Sequence, residues 1–209
     1  MKALICIHGL LSDKRDFEYI ILKLRKEYDE IICADLPGHG HNKLKFNTYN
    51  IKKFITEIYD SMSMLYDDID VYGYSLGGVI ACYLQSIRKI NKLVLLAPAY
   101  KYLNFKKYNN SDYSEFFPII LNFPKKKFFH LIQFTKIIAQ LSSEFHSINC
   151  PLLILIGTKD YMVKEESGYL LFDMGKSSKR LVFIDKASHF SIVKDEKTIA
   201  TIKQFLEIK

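Results

Sequence analysis

The chain has 209 residues, 49% of them hydrophobic, and a formal charge of +7. That length and apolar content suit one domain whose core needs neither a disulfide framework nor a structural metal. The 30 basic residues are spread along the whole chain with no helix-turn-helix, zinc-finger or RNP-like pattern, so no nucleic-acid partner is expected.

The first apolar run, 3–7, is five residues long and ends in His8-Gly9. It is too short for a signal peptide or a membrane span, and the expectation is a cytoplasmic protein. Further short runs rich in Ile, Val and Leu stand at 30–34, 69–74, 92–96, 152–156 and 181–184; each is too short for a typical helix and reads as a strand. Between them lie stretches of helical period. Phe17, Ile20, Ile21, Leu24 and Tyr28 share one face, as do Ile51, Phe54, Ile55, Ile58, Met62 and Leu65. Strands that are apolar throughout and alternate with helices predict an α/β fold, with a mostly parallel sheet of about six strands and helices on both faces. Cys6, Cys33, Cys82 and Cys150 lack CxxC spacing, and three of them lie inside apolar runs, where a thiol serves as a small core residue.

The alternation breaks between Pro98 and Cys150. These 53 residues contain 12 Phe or Tyr and seven Lys against three acidic residues. We read 1–209 as a single domain with a lid or cap insertion at about 98–150, entering and leaving at the sheet's carboxyl edge.

The residues with chemical character fall at the ends of predicted strands. Gly73-Tyr74-Ser75-Leu76-Gly77-Gly78 follows one strand and opens a helical stretch, the setting of a nucleophile elbow, in which a serine sits on a sharp turn that excludes neighbouring side chains. A serine hydroxyl needs an imidazole to take its proton, and the imidazole needs a carboxylate to fix its tautomer. Asp160 follows the strand at 152–156, and His189 lies 29 residues further on, in a loop before the last helix. Asp35 also ends a strand, but it precedes Ser75 and opens a turn where an Asx-type cap is expected. Asp185 stands only four residues before His189, and Asp173 falls at the end of a surface helix. His39 and His41 have no further ligand at metal spacing, so no metal is expected. An oxyanion formed by attack of Ser75 needs two N–H donors, and the backbone amides of Leu76 and Leu10 are the candidates.

Six segments together resemble the α/β-hydrolase superfamily: HGL at 8–10, DLPGHG at 35–40, GYSLGG at 73–78, LAPA at 96–99, GTKD at 157–160 and SHF at 188–190. The nearest likeness is to small bacterial carboxylesterases and monoacylglycerol-lipase-like enzymes. Most members carry an amino-terminal hairpin before the HG strand, whereas here that strand begins at Lys2. The resemblance implies Ser75 as nucleophile, Asp160 as orienting acid, His189 as base, and Leu10 and Leu76 as oxyanion donors. It also implies an acyl ester substrate cleaved through an acyl-enzyme, with no cofactor. A thioester substrate, a lyase or carbon–carbon hydrolase activity, and a non-catalytic ligand-binding role are the alternatives, because the same fold hosts them.

The insertion contributes Tyr100, Tyr102, Phe105, Phe116, Phe117, Phe123, Phe128, Phe129 and Phe134. These rings either line an acyl pocket or pack the lid onto the sheet. Lys125-Lys126-Lys127 beside Phe128-Phe129 has the composition of a transient membrane-surface contact; a solvated loop is the preferred reading. Oligomeric state has no sequence signature here.

Overall fold

The computed structural model describes residues 1–101 and 125–207, with the side chains of 125–129, 131 and 207 left aside. Six strands form one sheet: β1 (Lys2–Ile7), β2 (Glu30–Cys33), β3 (Asp68–Tyr74), β4 (Leu93–Leu96), β5 (Leu152–Gly157) and β6 (Lys179–Ile184). They lie in the order β2-β1-β3-β4-β5-β6, and every neighbouring pair is parallel. The six predicted runs are these strands, displaced by no more than two residues at either end.

Side chains alternate across the sheet because successive Cβ atoms of a strand point to opposite faces. On one face Ala3, Ile5 and Ile7 join Leu93, Leu95, Leu152 and Ile154 beneath three helices, α2 (Thr48–Ser63), α3 (Leu76–Ile87) and α4 (Lys125–Ser142). On the other, Leu4, Cys6, Val94, Leu96, Leu153 and Leu155 meet Ile20 and Leu24 of α1 (Glu18–Leu24) and Ile199, Ile202 and Phe205 of α6 (Glu196–Glu207). Helix α5 (Glu165–Met174) packs on the first face through Leu171.

The helical period holds with two local exceptions. Asn47 caps α2 by accepting the Asn50 N–H at 2.8 Å, which satisfies one of the free donors of the first turn. The helix ends at Ser63, so Leu65 lies beyond it and is 63% exposed rather than part of the apolar face; Tyr59 fills the core instead. Tyr28 is buried, but it lies past the end of α1, where its hydroxyl meets Asp70.

Of the aromatic residues between 98 and 150, Tyr100 packs on Phe145 with ring centroids 5.8 Å apart, and Phe134 is buried in the sheet-covering core with Ile137 and Leu141. Tyr102, Phe105, Phe116, Phe117 and Phe123 lie outside the described residues, as do the side chains of Lys125, Lys126, Lys127, Phe128 and Phe129. All four cysteines are unpaired. Among the described residues no helix is long and apolar enough to cross a membrane.

Candidate active site

Parallel strands all deliver their carboxyl ends to one edge, and the loops leaving β1, β3, β5 and β6 meet there. Ser75 follows β3 directly, with φ 54° and ψ −116°. Its N–H donates to the Leu96 carbonyl at 2.9 Å, while its own carbonyl accepts from Gly78 and Ala99, each at 3.0 Å. These bonds hold a backbone conformation that L-residues rarely adopt.

The glycines on either side are required by close approach. A Cβ on Gly77 would run into the Ile7 carbonyl oxygen, and one on Gly73 would lie 2.7 Å from Gly78 Cα. Leu11, Ala97 and Lys186 also have positive φ, so the strained non-glycine residues gather in the loops of this one edge.

A serine in the residue before a helix ordinarily caps it with its hydroxyl. Ser75 makes no such bond with α3. Its Oγ lies instead 3.1 Å from His189 Nε2. His189 Nδ1 is 2.8 Å from Asp160 Oδ2, and Asp160 Oδ1 accepts the N–H groups of Met162 and Val163, each at 2.9 Å. With both oxygens engaged, Asp160 cannot turn away from the imidazole. Ser75 is 7% exposed, Asp160 1% and His189 4%, so the three polar groups meet where little water competes.

The loop carrying His189 is seated on the end of β5. Lys159 N–H donates to the Ala187 carbonyl at 2.9 Å, and Lys186 N–H donates to Thr158 Oγ1 at 2.8 Å. A side chain on Gly157 would collide with the Ala187 carbonyl, which is the physical reason for the glycine in the 157–160 segment.

Gly9, in the loop after β1, makes a close approach that is less severe. A Cβ there would stand 3.2 Å from Ser75 Cβ and 3.3 Å from Tyr74 Cε1. Leu10 is the next residue of this loop. Among the described residues neither the Leu10 nor the Leu76 N–H has an acceptor, and Leu76 opens the first turn of α3, where amides have no partner within the helix.

His8 anchors this loop from behind. Leu36 N–H donates to its Nε2 at 2.8 Å, so its proton sits on Nδ1 and is donated to the Gly9 carbonyl at 2.8 Å. Burial pushes the His8 pKa down, which keeps the ring neutral and the two bonds intact.

The other candidates have different partners. Asp35 accepts the N–H groups of Lys14 at 3.1 Å and His41 at 2.9 Å; it ties two separate backbone segments together and does not form the expected Asx-type cap, because the residue two positions on is Pro37, which has no N–H to donate. His39 donates from Nδ1 to the Pro37 carbonyl at 3.1 Å, and its Nε2 is buried without a partner among the described residues. Its ring lies within 6 Å of the rings of His8, Phe46 and His130. Among the described residues no three His, Cys, Asp or Glu side chains are grouped to hold a metal ion.

Tyr74 went unnoticed in the sequence although it stands inside the glycine-rich motif. Its hydroxyl donates to the His189 carbonyl at 3.0 Å, and its ring lies 5.2 Å from the imidazole. A large polar side chain at a strand position that must be buried was the available signal.

A family model described as alpha/beta hydrolase fold matches residues 2–129. Over 99 residues the chain is 28% identical to a 3-hydroxybutyrate-oligomer hydrolase of Cupriavidus necator, a match covering 45% of this chain and 33% of that protein. The chain therefore spans about a third of that relative's length. Among solved structures it superposes on a monoacylglycerol lipase from Paleococcus ferrophilus with a TM-score of 0.73 and 20% identity, covering 98% of this chain and 93% of that one. An esterase from Exiguobacterium antarcticum gives 0.74 and 19%, covering 99% and 92%. At such identities the likeness is one of fold. With the family model spanning more than half of the chain, and the six-stranded parallel sheet behind it, this protein belongs to the α/β-hydrolase fold family.

Proposed function

We propose that the chain is a serine hydrolase that cleaves a carboxylic ester through an acyl-enzyme. The observation that carries this reading is the continuous hydrogen-bonded line from Ser75 Oγ through His189 to Asp160.

In the first step His189 Nε2 takes the Ser75 proton as Oγ attacks the ester carbonyl. Asp160 holds the proton of Nδ1 in place and balances the charge of the imidazolium. The Leu10 and Leu76 amides receive the oxyanion, a charge they stabilise more in the transition state than in the bound ester. His189 then hands its proton to the departing alcohol, and a water activated by the same nitrogen hydrolyses the acyl-serine.

Two exposed apolar side chains flank this machinery, Leu11 beside Leu10 and Phe190 beside His189, and they favour an acyl group over a polar one. The four unpaired thiols suit the reducing cytoplasm as the place of reaction. A small acyl ester is the only partner the mechanism calls for.

Treatment with a fluorophosphonate probe, followed by intact mass, tests the activated serine without choosing a substrate. One adduct on the native protein and none on Ser75→Ala supports the reading. A folded native protein that stays unlabelled removes it and moves the ligand-binding alternative ahead.

A further inference from the structure

Tyr74 is the last residue of β3 and the immediate neighbour of Ser75. Its side chain turns to the opposite face of the sheet from Val71 and belongs to the buried cluster that also holds Tyr72 and Ile192. From there it touches the other two parts of the site. Its ring lies against Gly9, where a Cβ would come within 3.3 Å of Cε1, and it lies tilted at 36° to the His189 imidazole with 5.2 Å between centroids. Its hydroxyl donates to the His189 main-chain carbonyl at 3.0 Å.

The segment bearing His189 lies outside every helix and strand. It is bracketed by Ser188 and Ser191, on either side of His189, whose hydroxyls exchange bonds with each other's N–H groups at 2.8 and 3.2 Å. Asp160 fixes one edge of the imidazole, and among the described residues the donor to the His189 carbonyl behind it is the Tyr74 hydroxyl, the bond that resists tilting of that carbonyl. Proton transfer is intolerant of such tilting: a misplacement of about 1 Å costs on the order of a hundredfold in rate.

We propose that Tyr74 is a positioning residue, whose hydroxyl ties the peptide of His189 to the strand that carries Ser75, so that base and nucleophile keep one geometry. This inference rests on the serine-hydrolase reading above. The hydroxyl is a dependable donor, because burial first, and then the nearby Asp16 and Asp160 carboxylates, push the Tyr74 pKa far above its ordinary value. The ring alone would fill the same space, so the removal of one oxygen atom isolates the tie.

The experiment compares the native protein with Tyr74→Phe and with Tyr28→Phe. The second variant removes a buried hydroxyl bound to Asp70 and Tyr72, away from the site. Fluorophosphonate labelling rate, kcat and KM on a p-nitrophenyl ester, and Tm are measured for all three. The expected result is a fall of about tenfold in kcat and labelling rate for Tyr74→Phe with KM unchanged, against less than twofold for Tyr28→Phe at an equal or larger loss of Tm. Equal slowing of both variants, or a Tyr74→Phe protein as fast as the native one, overturns the positioning role while leaving the hydrolase reading standing. A native protein that takes no label sinks that reading and this inference with it.

Discussion

Asp160 divides its carboxylate between two tasks: Oδ2 lies 2.8 Å from His189 Nδ1, and Oδ1 takes the backbone amides of Met162 and Val163. An amide in its place keeps the acceptor for the backbone but loses the charge that holds the imidazole tautomer. We expect Asp160→Asn to retain a native Tm within about 3 °C and to lose roughly 10⁴ in kcat. Steady-state kinetics on an activated ester check this, and a loss below tenfold would remove Asp160 from the mechanism.

The elbow around Ser75 leaves no space for a side chain at Gly77, where a Cβ meets the Ile7 carbonyl oxygen and lies 2.7 Å from that of His8. Both obstacles are backbone, so nothing can swing aside. Gly77→Ala should cost about 2 kcal/mol or more, seen as a Tm lower by roughly 5 °C or more. A variant as stable as the native protein would mean that the first turn of α3 does not press on the end of β1.

At the opposite end of β3, Asp70 is fully buried and serves three partners. It accepts from the Tyr28 hydroxyl at 2.8 Å and the Asn91 amide at 2.7 Å, and pairs with the Lys2 ammonium at 3.1 Å. Asp70→Ala leaves these donors facing a cavity and should cost about 3–5 kcal/mol. Urea unfolding measures that cost, and probe labelling below the transition should be unchanged, since none of the four residues reaches the catalytic edge.

His39 sets a pH dependence of stability. Burial, with the neighbouring His8 and His130 imidazoles adding to it and the Pro37 carbonyl and Asp35 opposing, lowers its pKa to about 4. In the unfolded chain a histidine titrates near 6.5. Between those values the unfolded state binds more protons than the native one, so stability falls as pH is lowered through this window. The full loss is on the order of 3 kcal/mol. His39→Phe should therefore show a smaller drop in unfolding free energy from pH 7 to pH 4.5 than the native protein. Equal drops would show that His39 titrates as an ordinary exposed histidine.

Most of the fold was legible in the chain itself. Runs such as 152–156 are apolar on both parities because β5 is covered on both faces, and that signal is local. The errors were local as well. Leu65 keeps the period of α2, but the helix stops at Ser63, and periodicity does not register where hydrogen bonding ends. Ser75, Asp160 and His189 could be named because each lies in the segment that follows a strand and carries its own short motif. Tyr74 could not be given a role, since its partner is a main-chain carbonyl 115 residues away.

What the sequence determined alone is the order of strands and helices and the kinds of chemistry at their ends, because alternation and motif spacing depend on neighbours in the chain. The strand order β2-β1-β3-β4-β5-β6, and with it the meeting of side chains 114 residues apart at 3.1 Å, was decided by tertiary structure. Strand pairing places β3 two strands from β5 and three from β6, and the bare backbones of Gly77 and Gly157 let the loops at that edge approach closely.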